Sequence, residues 1–116
     1  MVLPSVKMSA KRNRPETTSC EIAKYFGRDH GRIMGFIQGL SAPAGFVDAN
    51  FVLDTADDNP VYRITREGAI FLFMGFADDR AARIGKLKFI AAFNHFSHHH
   101  HTAAITTHTA ASEITL

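Results

Sequence analysis

The chain has a single cysteine, Cys20, among its 116 residues. One thiol cannot close an internal disulfide, so no crosslink stabilises the fold and a reducing cytoplasm is its natural setting. Long apolar runs are missing too, and nothing approaches the roughly 20 residues a membrane span requires. Residues 1–15 carry Lys7, Lys11, Arg12 and Arg14 without the apolar stretch that follows such charges in a secretory signal. Also absent are a glycine-rich phosphate loop and Cys/His pairs at metal-ligand spacing. Cys20 falls in the first turn of a helix, where packing is its expected role, and Asp57 and Asp58 are adjacent loop residues too generic for an acid/base pair. The reading is therefore no enzyme, no cofactor and no membrane partner.

What is present is ordinary in bulk: 46% apolar and 21% charged residues, enough for one domain with one core. The net charge is only +2, but it is unevenly spread. Residues 1–32 hold seven basic and three acidic side chains, residues 33–79 two and seven, and residues 80–116 four and one. Two basic ends around an acidic middle can meet nucleic acid at two places; ordinary surface charge is the other reading.

Residues 1–16 show no periodicity and contain Pro4 and Pro15, so a flexible basic arm is expected there. Thr18-Ser19-Cys20-Glu21 then fits a capping box. The short helix it opens, over 19–26, buries Ile22, Ala23 and Phe26 and ends at Gly27. A second helix starting at Arg28 or Asp29 runs to about Leu40, with Ile33, Ile37 and Leu40 as its buried stripe. Arg28, Arg32 and Gln38 lie on the opposite face with Gly31, Gly35 and Gly39. Such a bare face either lets another backbone approach or is a recognition surface without side chains. Residues 41–50 read as a turn-rich connector.

Phe51 and Leu53, then Tyr62 and Ile64, alternate as two strands of a hairpin joined by Thr55-Ala56-Asp57-Asp58-Asn59-Pro60. Thr65 caps a third helix ending near Gly75, and Asp78 or Asp79 starts a fourth that runs to about Phe96. Ala82, Phe89, Phe93 and Phe96 line one side of that last helix, and Ile84, Leu87 and Ala91 line another. Either the core wraps around it or the second side makes a homodimer. Residues 97–116, rich in Thr, Ala and His, read as a mobile low-complexity tail. Its tract His98-His99-His100-His101 suits a transition metal in ligand type but lacks fixed geometry, so no metal site is expected.

The predicted fold is α+β, a winged helix-turn-helix-like core over 17–96: two short helices, a β-hairpin and two C-terminal helices. Local strings agree. Thr17-Thr18-Ser19-Cys20-Glu21-Ile22-Ala23, Phe26-Gly27-Arg28-Asp29-His30, Tyr62-Arg63-Ile64-Thr65-Arg66-Glu67-Gly68, Phe73-Met74-Gly75-Phe76 and Phe89-Ile90-Ala91-Ala92-Phe93-Asn94 occur in order. Together they resemble the phage Rha regulatory family across about residues 17–94. The resemblance implies a phage or prophage regulator in the cytoplasm of a bacterial host, binding DNA through its N-terminal helix-turn-helix-like region. It also implies an influence on phage growth connected to the host integration factor. Members often carry a further C-terminal module, which this chain is expected to lack. Two departures remove positive charge: Gly35 and Phe36 replace polar or charged residues, and Ala77-Asp78-Asp79-Arg80 replaces a small basic turn.

The candidate DNA contacts follow. Arg28 and Arg32, one turn apart at a helix start, suit phosphates. His30 either touches a base edge or phosphate, or caps and packs the inter-helix turn. Gln38 either reads adenine or is simply solvated. Lys11, Arg12 and Arg14 either follow a groove as an arm or serve solubility. Asp57 and Asp58 would be repelled by phosphate, so the hairpin loop either points away from DNA or meets a host or phage regulatory protein. That second role defines the alternative function, a protein-interaction module; a decayed remnant that regulates nothing is a third.

Overall fold

Thr18 and Thr65 each open a helix in the same way, and those two caps frame the architecture. In this computed structural model, which describes residues 3–76 and 79–104, the Thr18 hydroxyl accepts from the Glu21 N–H at 3.1 Å. Thr65 does the same for the Gly68 N–H at 3.0 Å. Each satisfies a donor that a helix start leaves unpaired. Among the described residues the order is β1 (Lys7–Ser9), β2 (Arg14–Thr18), α1 (Ser19–Phe26), α2 (His30–Gln38), α3 (Ala44–Asn50), β3 (Phe51–Asp54), β4 (Val61–Ile64), α4 (Arg66–Met74) and α5 (Arg80–Ala104). The fold is α+β, with five helices and a four-stranded antiparallel sheet, in the order β1-β2-β4-β3, among the described residues.

Residues 3–16 correct the expectation of a flexible arm. They form a hairpin in which Lys7 faces Glu16 and Met8 faces Pro15, and β2 continues onto β4 through Thr17 opposite Ile64. Asn13, at φ 52°, takes the left-handed turn conformation that asparagine tolerates, and its N–H donates to the Ser9 carbonyl at 2.7 Å. The two prolines bar a regular helix, not a strand beside a turn. Val6 is buried in the core as a result.

Residues 41–50 are likewise not a plain connector. Pro43 precedes α3 and its carbonyl receives the Phe46 and Val47 amides. Phe46 then packs on Phe71, centroids 5.2 Å apart. Asn50 fastens α3 to the next elements, donating to the Phe46 carbonyl and accepting from the Thr65 hydroxyl at 2.6 Å. The β3–β4 hairpin stands as expected, with Leu53 opposite Tyr62.

The core lies where α1, α2, α4 and α5 meet the sheet. Ile22, Ile33, Ile37, Ile64, Leu72, Phe89 and Phe93 are essentially inaccessible. An aromatic cluster occupies the centre: Tyr25 meets Phe26 and Phe89 edge-on at 5.0 and 5.1 Å, and Phe26 meets Phe73 and Phe76 at 5.3 Å. Edge-to-face pairs contribute about 0.5–1.5 kcal/mol each beyond burial. On α5, Ala82, Phe89 and Phe93 face this core while Ile84, Leu87 and Ala91 are exposed. The helix continues through Ala104, past the expected end at Phe96; the remainder of the expected tail, 105–116, lies outside the described residues.

Candidate nucleic-acid interface

The turn between α1 and α2 sets the geometry. Gly27 sits at φ 64°, a left-handed conformation that glycine adopts without steric cost, and its N–H closes the end of α1. The Arg28 N–H returns to the Ala23 carbonyl at 2.8 Å, completing the C-terminal cap. Asp29 then caps α2, its carboxylate accepting from the Arg32 N–H at 3.1 Å. A negative charge at that position also complements the positive end of the helix dipole.

Arg28 and Arg32 both emerge exposed from this corner. The Arg28 guanidinium lies over the Phe76 ring, 4.7 Å from its centroid. That stacking orients the side chain without enclosing it, and a cation–π contact at an exposed site is worth about 0.5–1 kcal/mol. Beside it is an open groove of about 520 Å³ lined by the rings of Phe26, Phe36 and Phe76 together with Arg28, Asp29 and Arg32. Phe36 lies against Gly75 so closely that any Cβ at position 75 would overlap its ring. The unusual phenylalanine on α2 thus has a packing role, and Gly75 is the residue that makes room for it.

His30 is held inward. Its Nε2 lies 2.8 Å from the hydroxyl of Ser19, which is fully buried. That hydroxyl also accepts from the Tyr62 N–H at 3.0 Å and lies 3.3 Å from Met34 Sδ. When its proton points to sulfur, Nε2 carries the hydrogen between Ser19 and His30; when it points to His30, Nε2 is the bare acceptor. Of the two readings of His30, this geometry matches packing of the turn. Gln38 is exposed at the far end of α2. Between them, a Cβ at Gly35 would meet nothing within 4 Å among the described residues, so the backbone of α2 is bare at that position.

The basic residues of the first hairpin are elsewhere and differently occupied. Glu16, almost wholly buried, accepts from Arg12 Nε at 2.7 Å, Arg12 Nη2 at 3.0 Å and Arg14 Nε at 2.8 Å. Burial pushes its carboxyl pKa up, but the two guanidinium bonds outweigh that and hold it below the ordinary value. Arg12 is raised in turn, chiefly by its bond to Glu16. Arg12 and Arg14 are therefore components of a structural ion-pair cluster and not side chains of a free arm, while Lys11 remains exposed at the turn. A second groove, about 810 Å³, runs between this hairpin and β3–β4 and includes Lys7, Lys11, Arg12, Glu16, Asp54 and Arg63. Its charges are largely matched, with Arg63 and Asp54 paired at 2.6 Å. The Ala56 amide, followed by Arg63, lowers the Asp54 pKa. Asp57 and Asp58 project from the exposed loop beyond.

A model of the phage regulatory protein Rha family matches residues 17–98. The chain belongs to that family. No curated protein and no solved structure matches it. The Rha match contains Arg28, His30, Arg32 and Gln38, the elements α1 to α4 and α5 as far as residue 98, and it leaves Lys11, Arg12 and Arg14 outside. Membership gives the chain a phage regulatory role. Among the described residues no helix is long and apolar enough to cross a membrane.

Sequence reasoning missed three residues that shape this corner. Phe76, which seats Arg28, carried a signal only as part of a family string, and Gly75, which seats Phe36, was read there and as a helix end but not as the place for a ring. Glu16 carried none, because an acid following two arginines in sequence looks the same whether it is buried or solvated.

Proposed function

We propose that this Rha-family protein is a DNA-binding transcriptional regulator that presents α2 to the major groove. The observation that carries the reading is the pair of exposed arginines, Arg28 and Arg32, at the start of a helix reached through a tight turn. Phosphates suit such a place, where arginine charge and the helix N-terminus act together. The topology supports a winged helix-turn-helix: α1 and α2 are inserted between β2 and β3, and the hairpin β3–β4 pairs back onto β2. His30 sets the pose of α2 through Ser19, Gln38 is the side chain available for base reading, and Lys11 is the hairpin cation available to a neighbouring phosphate. The site of action is the cytoplasm of the bacterial host. The outer side of α5, with Ile84 and Leu87, offers a surface for pairing two copies, as two half-sites would require.

The test is titration of labelled prophage control DNA at two salt concentrations. Several phosphate contacts give an affinity that falls steeply with salt, because each contact releases condensed counterions. Arg28→Ala combined with Arg32→Ala should weaken binding at least tenfold, on the order of 1.4 kcal/mol. Salt-independent or undetectable binding by the wild-type chain refutes the reading.

The exposed acidic tip, Asp57 and Asp58, favours one alternative, a module that docks a host or phage regulatory protein. A pull-down from nuclease-treated host lysate separates the two. A protein partner retained after nuclease, and lost on Asp57→Lys plus Asp58→Lys, would favour docking.

A further inference from the structure

The two edge strands of the sheet, β1 and β3, form the walls of the larger groove, and their spare charges have opposite sign. Lys7 and Lys11 line one wall, while the other runs on into the loop that carries Asp57 and Asp58. All four residues are exposed, and none has a side-chain partner among the described residues. We infer that this groove is a homodimer interface, the lysine wall of each copy meeting the aspartate wall of the other about a two-fold axis. The inference is separate from the DNA-binding reading, which Arg28 and Arg32 carry. Lys11 meets a carboxylate in this arrangement and not a phosphate.

Three observations support it. First, the remaining charge of the walls is already spent within the chain, since Glu16 holds Arg12 and Arg14 and Asp54 holds Arg63. Glu21, the other charged residue of the lining, belongs to α1 and to neither wall. What is left over is a pair of cations on one wall and a pair of anions on the other. A two-fold axis turns that opposition into complementarity, because each residue meets its counterpart and is met by it in return. A duplex, or a foreign protein of one sign, would match one wall and be repelled by the other. Second, each wall also presents an apolar side chain: Met8 and Leu53, 38% and 50% exposed, both line the groove. Apolar contact framed by charge is the usual anatomy of an interface. Third, the other surface open to a second copy is less suited. The outer side of α5 offers Ile84 and Leu87, but the helix has no acidic residue over its 25 positions. Two copies meeting there bring basic residues together with no acid between them.

Charge exchange tests it. The purified full-length chain is followed by analytical ultracentrifugation over a range of concentration and salt, and circular dichroism verifies that each variant folds. Self-association should appear at low salt and weaken as salt rises, because exposed charges are screened. Lys7→Glu with Lys11→Glu makes both walls acidic, and Asp57→Lys with Asp58→Lys makes both basic. Each double variant should self-associate at least about tenfold more weakly than wild type. Mixed together, the two should form a heterodimer. All four substitutions in one chain exchange the walls and keep the net charge, so they should restore the homodimer. A wild-type chain that stays monomeric at about 0.5 mM overturns the inference and leaves the DNA-binding reading standing. A folded fourfold variant that stays monomeric overturns it as well. So does a dimer that survives both charge reversals and is lost on Leu87→Glu, which would assign the pairing to α5.

Discussion

The β1–β2 hairpin and the α1–α2 corner are both arginine-rich, yet they put their arginines to opposite uses. In the hairpin, Arg12 and Arg14 converge on one buried carboxylate, Glu16. At the corner, Arg28 rests on the flat face of Phe76 and Arg32 stands exposed, with Asp29 turned to the backbone of α2. The first arrangement consumes positive charge to hold strands together. The second leaves it available to a ligand. A tally of cations along the chain treats the two alike, and the difference is made entirely by what lies underneath.

The largest effect expected is one that abolishes the contrast. Phe89→Ala empties the centre of the aromatic cluster below the corner and should cost about 3–5 kcal/mol, read as a lower urea midpoint. Arg28 would then lose the framework that holds Phe76 in place. Next comes Glu16→Ala, which makes the hairpin resemble the corner by stripping two arginines of their acceptor. A loss of about 1–3 kcal/mol is expected in chemical denaturation, and an unchanged midpoint would show that the cluster holds nothing together.

Acid should sharpen the distinction. The folded pKa of Glu16 is lowered, so its contribution is present above the unfolded carboxylate value and is lost as pH falls through the folded one. Wild-type urea midpoints should therefore fall across the acidic range, and in Glu16→Gln this decline should be shallower. The smallest effect belongs to the corner itself. Arg28→Ala should change stability by no more than about 1 kcal/mol in thermal melts while weakening DNA, whereas Arg14→Ala should do the reverse.

Much of the fold was legible because its signals are local. Thr18 with Glu21, Gly27 at the helix end, Thr65 before α4 and the alternation around Tyr62 each act within a few residues. The β1–β2 hairpin was not legible, since its strands are short and hold Pro15, and β2 is anchored to the sheet only through Thr17 and Thr18 pairing with β4, almost fifty residues later. α3 was hidden by Gly45 and by its shortness; Pro43, with Phe46 and Asn50 at helical spacing, was the available signal. At the site, helical periodicity alone placed Arg28, Arg32 and Gln38 outward. It could not reveal that His30 meets Ser19, because that contact depends on how two helices cross.

That meeting at Ser19 has a mechanical consequence. One oxygen joins the first residue of α1, the first of α2 and the backbone of β4, so it works as a pin through three moving parts. Push on the leading end of α2 and the load passes through a single atom to the strand that carries the hairpin loop. Ser19→Ala would withdraw the pin while leaving every rod intact.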